Sequence, residues 1–403
     1  MNYIPRTLEH SLLKASQHFK VILVQGMREI GKSSLLRHLS NNRKMVSLND
    51  WKVLTLAQTR RDNYFQHYPA PMTIEEIQRC PDLCRQIKSL VDQNEETGQV
   101  WLTSSQRLDT IKNLTESLAG RMAIFELLPL SLYERQGKAF EQKPYLPNGS
   151  LPNSILDRKE LGDIWSLIWQ GAYPNVIGMS ESERYEFFNL LLRTYIEHDV
   201  QHAGVSKINE FQRFLEILAN RIGQELQIGK IAAEASIATQ TAREWLSIAE
   251  VAGVVYLLPA FSESIGKVLI KKPKIYFSDT GLASWLCGIA SPQTLQESHQ
   301  KERLFQNFVI MELRKSWVHN GKRADFYFYR DSNFKEIDLV IKNGNVYNPV
   351  AISTAETPEP SLIRAFNSIN RGNVVMGPGS VICLTNEPHY IRSGVVAHSI
   401  FDI

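Results

Sequence analysis

Lys32 and Ser33 close the run Gly26-Met27-Arg28-Glu29-Ile30-Gly31-Lys32-Ser33, in which two glycines separated by four residues lead into a cation and a hydroxyl. That is the spacing of a phosphate-binding loop. Gly26 and Gly31 permit the tight path that turns successive N–H groups toward an anion, Lys32 can reach β and γ phosphates, and the Ser33 hydroxyl can hold Mg2+. The pattern carries weight only when a strand precedes it and a helix follows. Both are written here: Val21-Ile22-Leu23-Val24-Gln25 before the loop, and an amphipathic stretch from Ser34 after it, whose N-terminal partial positive charge also favours phosphate.

Hydrolysis needs a carboxylate on a neighbouring strand for the Mg2+ water shell and often a following Glu to activate water. Pro71-Met72-Thr73-Ile74-Glu75-Glu76 supplies such a pair, with Glu75 as the metal residue and Glu76 as the base. The competing reading is an acidic helix start. Val100-Trp101-Leu102-Thr103 runs into Ser104-Ser105-Gln106, which puts Ser105 where a strand end can sense a γ phosphate. Arg121 offers a cation for phosphoryl charge in the transition state, against the plainer reading of a surface ion pair.

Around these residues, strands are expected at 21–25, 45–48, 71–74, 99–103 and 122–127, with helices at 33–40, 53–59 and 80–93. This alternation builds a parallel-sheet α/β nucleotide-binding domain over 1–135. A Pro, Gly and Asn cluster at 141–155 reads as a linker. The second unit, 136–290, is helical; residues 225–252 read as helix, turn, helix, followed by two strands around Gly266-Lys267-Val268-Leu269-Ile270-Lys271-Lys272-Pro273, the order of a winged helix. Lys267, Lys271, Lys272 and Lys274 would meet DNA phosphates while Gln240 and Arg243 face a groove, although Glu244 and Glu250 share that helix. The third unit, 291–403, is α/β, with a helix at 303–317 and strands at 325–330, 336–342, 345–352 and 380–384.

The loop, then Glu75-Glu76-Ile77-Gln78-Arg79, Leu102-Thr103-Ser104-Ser105-Gln106 and Glu116-Ser117-Leu118-Ala119-Gly120-Arg121 occur in an order that resembles the AAA-type ATP-binding proteins of bacteria and archaea that carry a C-terminal domain of unknown function. Gly171-Ala172-Tyr173-Pro174, Thr194-Tyr195-Ile196-Glu197-His198-Asp199, Lys272-Pro273-Lys274-Ile275-Tyr276-Phe277-Ser278-Asp279-Thr280-Gly281-Leu282 and Phe305-Gln306-Asn307-Phe308-Val309 resemble its second half. The resemblance implies ATP and Mg2+ as ligands, ADP as product and a nucleotide-sensing or finger role for Arg121. The family usually has Gln at Glu29, Asp at Glu75 and Gly at Ser104. The added methylene of Glu75 moves its carboxylate by roughly 1.5 Å, and a misplacement near 1 Å costs on the order of 100-fold in rate, so binding should survive better than turnover.

The third unit resembles a restriction-endonuclease-like fold, in which a helical Glu, an Asp and a Glu-x-Lys gather a divalent metal. Asp338 stands in place, but the helical position reads Gln306 and the Glu-x-Lys position reads Ala351-Ile352-Ser353. A non-catalytic domain is expected, unless Glu312 or Glu336 substitutes.

Lys plus Arg number 45 against 42 Asp plus Glu, so any basic surface must be local rather than global. Cys80, Cys84, Cys287 and Cys383 are too few and scattered for a disulfide scaffold, which reads as a reduced, cytoplasmic chain. Cys80 and Cys84, one helical turn apart, suit a half-buried helix face. His198 and His202 have i, i+4 metal spacing but no third ligand nearby. No apolar run approaches a membrane span. The expectation is an ATP-binding protein and Mg2+-dependent ATPase whose nucleotide state moves C-terminal units on DNA or a protein partner, as a monomer or an oligomer. The alternative is a nucleotide-gated binding protein or DNA-binding regulator with little hydrolysis.

Overall fold

The computed structural model describes residues 3–40, 43–107, 118–195, 207–261, 272–331, 333–369 and 374–403, without the side chains of 61 and 62. His198, His202, Lys267 and Lys271 lie outside the described residues.

Five strands form a parallel sheet: β1 (Val21–Gln25), β2 (Lys44–Ser47), β3 (Met72–Glu75), β4 (Val100–Ser104) and β5 (Met122–Glu126), in the order β2-β3-β4-β1-β5. The near-continuous apolar run of β1 fits a strand buried on both faces. Alternation divides its residues. Ile22 and Val24, with Trp101, share a core with Leu8 and Leu12 of α1 (Leu8–Ser16) and with Leu35 and Leu36 of α2 (Lys32–Leu39). Val21, Leu23, Met72, Ile74, Val100 and Leu102 face the other way, onto α3 (Trp51–Thr59), α4 (Arg61–His67) and α5 (Leu83–Asp92). Each such Val, Leu or Ile contributes about 1.5–3 kcal/mol by leaving water. The same period of two places Thr73 and Glu75 on the α2 face, opposite Met72 and Ile74.

The expected helix 80–93 is shorter. A 3-10 turn, Ile77–Arg79, precedes Pro81, and α5 begins at Leu83. Cys80 and Cys84 are buried in the α5 core, where burial pushes the Cys84 thiol up to about 12, so they pack rather than react.

The stretch 141–155 lacks helix and strand after the 3-10 turn that ends at Glu141, but it is no free tether. Tyr145 N donates to Ser316 Oγ (2.9 Å), Trp317 Nε1 donates to Tyr145 O (2.8 Å), and the Tyr145 hydroxyl lies 2.9 Å from Ser380 Oγ and 2.8 Å from His398 Nε2. It is a strap bonded to the C-terminal unit.

Next come the helices Ile164–Gln170, Glu181–Tyr195, Ile208–Ala219, Ile228–Glu234 and Thr239–Val251, then the antiparallel pair β6 (Val255–Leu258) and β7 (Lys274–Phe277). The C-terminal unit sets the helix Lys301–Val318 against a mixed sheet ordered β13-β14-β12-β10-β9-β8. Its strands are β8 (Phe326–Arg330), β9 (Glu336–Asn343), β10 (Val346–Ile352), β11 (Val375–Met376), β12 (Gly379–Ile382), β13 (His389–Arg392) and β14 (Val395–His398), with β11 beside β10. One core runs from Leu8 and Val24 through Trp165, Phe211 and Trp245 to Phe305 and Phe401. The helix Lys301–Val318 is thus a wall common to the first and last units.

Candidate functional site

The loop leaves β1 at Gln25, and Gly26 takes φ +152°, its N–H donating to Ser104 O (3.1 Å). A Cβ there would stand 2.2 Å from Leu127 O, so only glycine fits. Glu29 and Gly31 are both left-handed, and the turn delivers Lys32 as the first residue of α2. Glu29 is exposed, with Asn175 Nδ2 3.4 Å from its Oε2, which carries its negative side chain outward from the loop. Lys32 is buried and its Nζ donates to Gly26 O (2.8 Å) and Met27 O (2.6 Å). Ser33 is half-buried in the first turn and Ser34 exposed; Met27 and Ile30 are buried, which anchors the loop in the core.

Glu75 ends β3, half-buried, and Glu76 follows in the left-handed region at φ 59°. Thr103 Oγ1 accepts from Glu76 N at 3.1 Å, which fixes this bend against β4. One oxygen of Glu76, Oε2, collects Ser105 Oγ (2.9 Å), Gln78 Nε2 (2.6 Å) and Arg28 Nη1 (3.9 Å). Burial alone would raise its pKa; Lys32, Gln78, Arg28 and Ser105 together outweigh that and hold the carboxyl below its ordinary range. Glu76 is therefore an anion that accepts hydrogen bonds, suited to orienting a water. Gln78, which also donates to Ser105 Oγ (2.7 Å), was not singled out from sequence; its signal was the Glu-Glu-Ile-Gln spacing.

The donor set suits Mg2+, which prefers oxygen and takes few protein ligands beside water and phosphate: a hydroxyl from Ser33 and a carboxylate from Glu75. Among the described residues no group of three or more His, Cys, Asp or Glu could hold a metal ion.

Residues before α1 also belong to the site. Arg6 is buried beneath the loop: Nη1 donates to Ile30 O (2.8 Å), Nη2 to Leu128 O (2.6 Å), and Nε lies 3.2 Å from Glu134 Oε2. The Tyr3 ring stacks on His38 at 4.0 Å. Together with Gly31, Ser34 and Arg37 they line a cavity of about 330 Å³. On another side the middle helices close over the loop. A Cβ on Gly253 would lie 3.2 Å from Met27 Cγ, and Arg107 N donates to Val251 O (2.7 Å).

Arg121 is a correction. Its carbonyl accepts from Val21 N (3.0 Å), at the start of β1, whereas the loop leaves the far end of that strand, about 13 Å away for five residues. Its guanidinium is paired with Asp92 at 2.5 and 3.1 Å. It is not gathered with the loop of its own chain.

The wing is corrected in part as well. Lys272 is exposed, but Lys274 is buried and paired with Glu336, so its charge is not offered to a phosphate backbone. Where β7 meets the C-terminal unit, Tyr276 OH donates to Gln306 Oε1 (2.9 Å), Gln306 Nε2 to Asp338 Oδ1 (2.7 Å) and Ile352 N to Asp338 Oδ2 (2.8 Å). An amide thus sits where a cation would be needed. Burial raises Asp338 to about 6. Glu312 is bound to Lys315 (2.7 Å) and Leu132 N (3.1 Å), and Glu336 to Lys274, so neither supplies a missing ligand.

Comparison with known proteins agrees with the first unit. Residues 18–136 match the model described as "AAA domain", residues 161–293 a "Domain of unknown function (DUF8612)" and residues 301–401 a "Domain of unknown function (DUF4143)". An uncharacterized protein of Mycobacterium bovis and one of Mycobacterium tuberculosis are each 26% identical over 361 residues, 89% of this chain and 75% of the relative. Among solved structures, a Walker-type ATPase of Pyrococcus abyssi is similar with TM-score 0.38 and 12% identity, covering 70% of this chain and 96% of that one. A signal transduction ATPase with numerous domains from Pyrococcus horikoshii has TM-score 0.29 and 12% identity, covering 79% and 47%. Residues 18–136 thus combine a match to an AAA domain with the parallel sheet and glycine loop of a P-loop fold. No helix among the described residues is long and apolar enough to cross a membrane.

Proposed function

We propose that the chain is a Mg2+-dependent ATPase whose nucleotide state is felt by the units packed on its phosphate loop. The observation that carries this is the adjacency of Lys32, folded onto the carbonyls of Gly26 and Met27, to the Glu76, Ser105, Gln78 and Arg28 cluster. In turnover Lys32 would exchange those carbonyls for phosphate oxygens, Ser33 and Glu75 would hold the metal, and Glu76 would orient the attacking water. The cavity beside Tyr3, His38 and Gly31 has room for a nucleoside. Mg2+ supplies charge neutralisation along the phosphates.

The test is Mg2+-dependent phosphate release from ATP by the wild type, with Lys32→Ala as the blank. Turnover above the blank supports the reading. Tight ATP binding without turnover leaves a nucleotide-gated binding protein instead.

The order of the helix Ile208–Ala219, the bridge at Glu225, two helices, β6 and β7 supports reading the middle unit as a winged helix. DNA contact would then rest on Gln240, Arg243 and Lys272, all of which are exposed. The mixed sheet and the Gln306 and Asp338 pair support a nuclease-like fold without nuclease activity. Salt-dependent DNA binding that persists in Lys32→Ala would favour the regulator reading.

A further inference from the structure

β5 is the terminal strand of the parallel sheet, and no described residue pairs with its outer side. Val21 N bonds Arg121 O and Leu127 N bonds Gln25 O, so the odd-numbered residues of β5 serve β1. The N–H and C=O groups of Met122 and Ile124 therefore point to the free side. A natural edge is usually blunted by a charge, a bulge or a cover. Here the strand ends in Glu126, but Ile124 at its middle is 37% exposed and faces a cleft.

That cleft has a volume of about 700 Å³ and separates β5 from residues 321–327 of the C-terminal unit. It starts at Gln25 and Arg107, beside the strand ends that hold the nucleotide loop. Its charged lining is four cations, Arg107, Arg314, Lys322 and Arg323, against the two carboxylates Glu126 and Asp325. Arg314 is paired with Glu126 at 2.6 Å and lies over the Tyr256 ring, and Arg323 is paired with Asp325 at 2.7 Å. Lys322 is exposed at the cleft mouth.

We propose that this cleft is a docking site for an extended, acidic polypeptide segment of a partner protein, which adds as a sixth strand along β5. One observation selects a polypeptide over a nucleic acid. Outward-facing backbone groups of a strand are matched by another backbone and not by a sugar-phosphate chain. Lys322, exposed at the mouth, and the largely exposed Arg323 draw carboxylates on the added strand. The reading is independent of hydrolysis, because none of these residues holds the nucleotide.

The experiment uses the full chain and an eight-residue fluorescein-labelled peptide of alternating glutamate and valine. Anisotropy should show saturable binding that falls at least tenfold in Lys322→Glu/Arg323→Glu, a pair of surface changes whose folding is checked by circular dichroism. Alternate N-methylation of the peptide amides should abolish binding, and the unmodified peptide should slow hydrogen exchange at Met122 and Ile124. Unchanged exchange at those two amides with the peptide at millimolar concentration overturns the proposal. So does binding that survives N-methylation, or displacement of the peptide by equimolar oligothymidine.

Discussion

Arg28 Nη1 lies 3.9 Å from Glu76 Oε2, joining the phosphate loop to the residue after β3 through an oxygen that also takes Ser105 and Gln78. Both side chains are largely shielded, so the pair helps keep Glu76 ionised. Arg28→Ala should let its pKa rise and move the acid limb of the turnover profile to higher pH, with turnover near neutrality kept within a few-fold. Glu76→Gln should lower turnover by roughly 100- to 10,000-fold with ATP affinity retained. The pH profile of kcat checks both; an acid limb that stays in place in Arg28→Ala detaches Glu76 from the chemistry.

Gln306 donates its amide to Asp338 and accepts from Tyr276. Gln306→Glu would set a second carboxylate against a buried one and lower the melting temperature. If a metal-gathering fold underlies this region, millimolar Mg2+ or Mn2+ should recover part of that loss, since a cation between two carboxylates removes their repulsion. No DNA cleavage should appear, because Ser353 stands where a lysine is needed. Thermal unfolding with and without metal decides it: a loss that metal does not touch argues against the nuclease-like reading.

The five strands of the first unit were legible to within about a residue, because β1 and β4 are apolar on both faces and fit only a covered parallel sheet. The loop was legible from spacing alone, since its glycines answer to backbone geometry. Arg6 was not: its partners Ile30, Leu128 and Glu134 are up to 128 residues distant, and no local pattern marks a buried arginine. Arg121 misled because motif order gives a residue's neighbours but not which end of a strand it occupies. Lys274 misled because its carboxylate partner lies 62 residues away. The 141–155 stretch has linker composition, and only the positions of Ser316 and Ser380 show what holds it.

His319 is fully buried where the first and last units meet, accepting from Leu128 N at Nε2 (3.1 Å) and placing Nδ1 3.1 Å from Glu134 Oε1. Burial depresses its pKa below 6.5, with Arg6 and Lys315 adding to the fall and Glu134 opposing it. The unfolded chain then binds the extra proton, so this stability is present above pH 6.5 and drains as pH falls. Glu134, held well below its usual 4.5, is lost only at lower pH. Asp338, raised to about 6, acts oppositely, contributing less as pH rises from 3.8 through 6. Comparison with His319→Gln cancels that term. The wild type should lose about 1–2 °C more than His319→Gln between pH 7 and 5.5, measured by calorimetry; parallel curves would show that His319 does not titrate with unfolding.

Arg121 and Asp92 form a two-point ion pair at the end of the sheet away from the phosphate loop, and each remains about one-third exposed. Solvent screens such pairs, so Arg121→Ala should leave the melting temperature nearly unchanged. Within one chain the guanidinium cannot reach phosphates held at Lys32, so turnover at low protein concentration should equal the wild type. A finger acting on a neighbouring chain behaves differently. Wild-type specific activity would then climb with protein concentration, and Arg121→Ala would stay flat. Phosphate release measured across a hundredfold range of concentration separates the two: coincident curves confine Arg121 to the ion pair, and divergent ones place it in a partner's site.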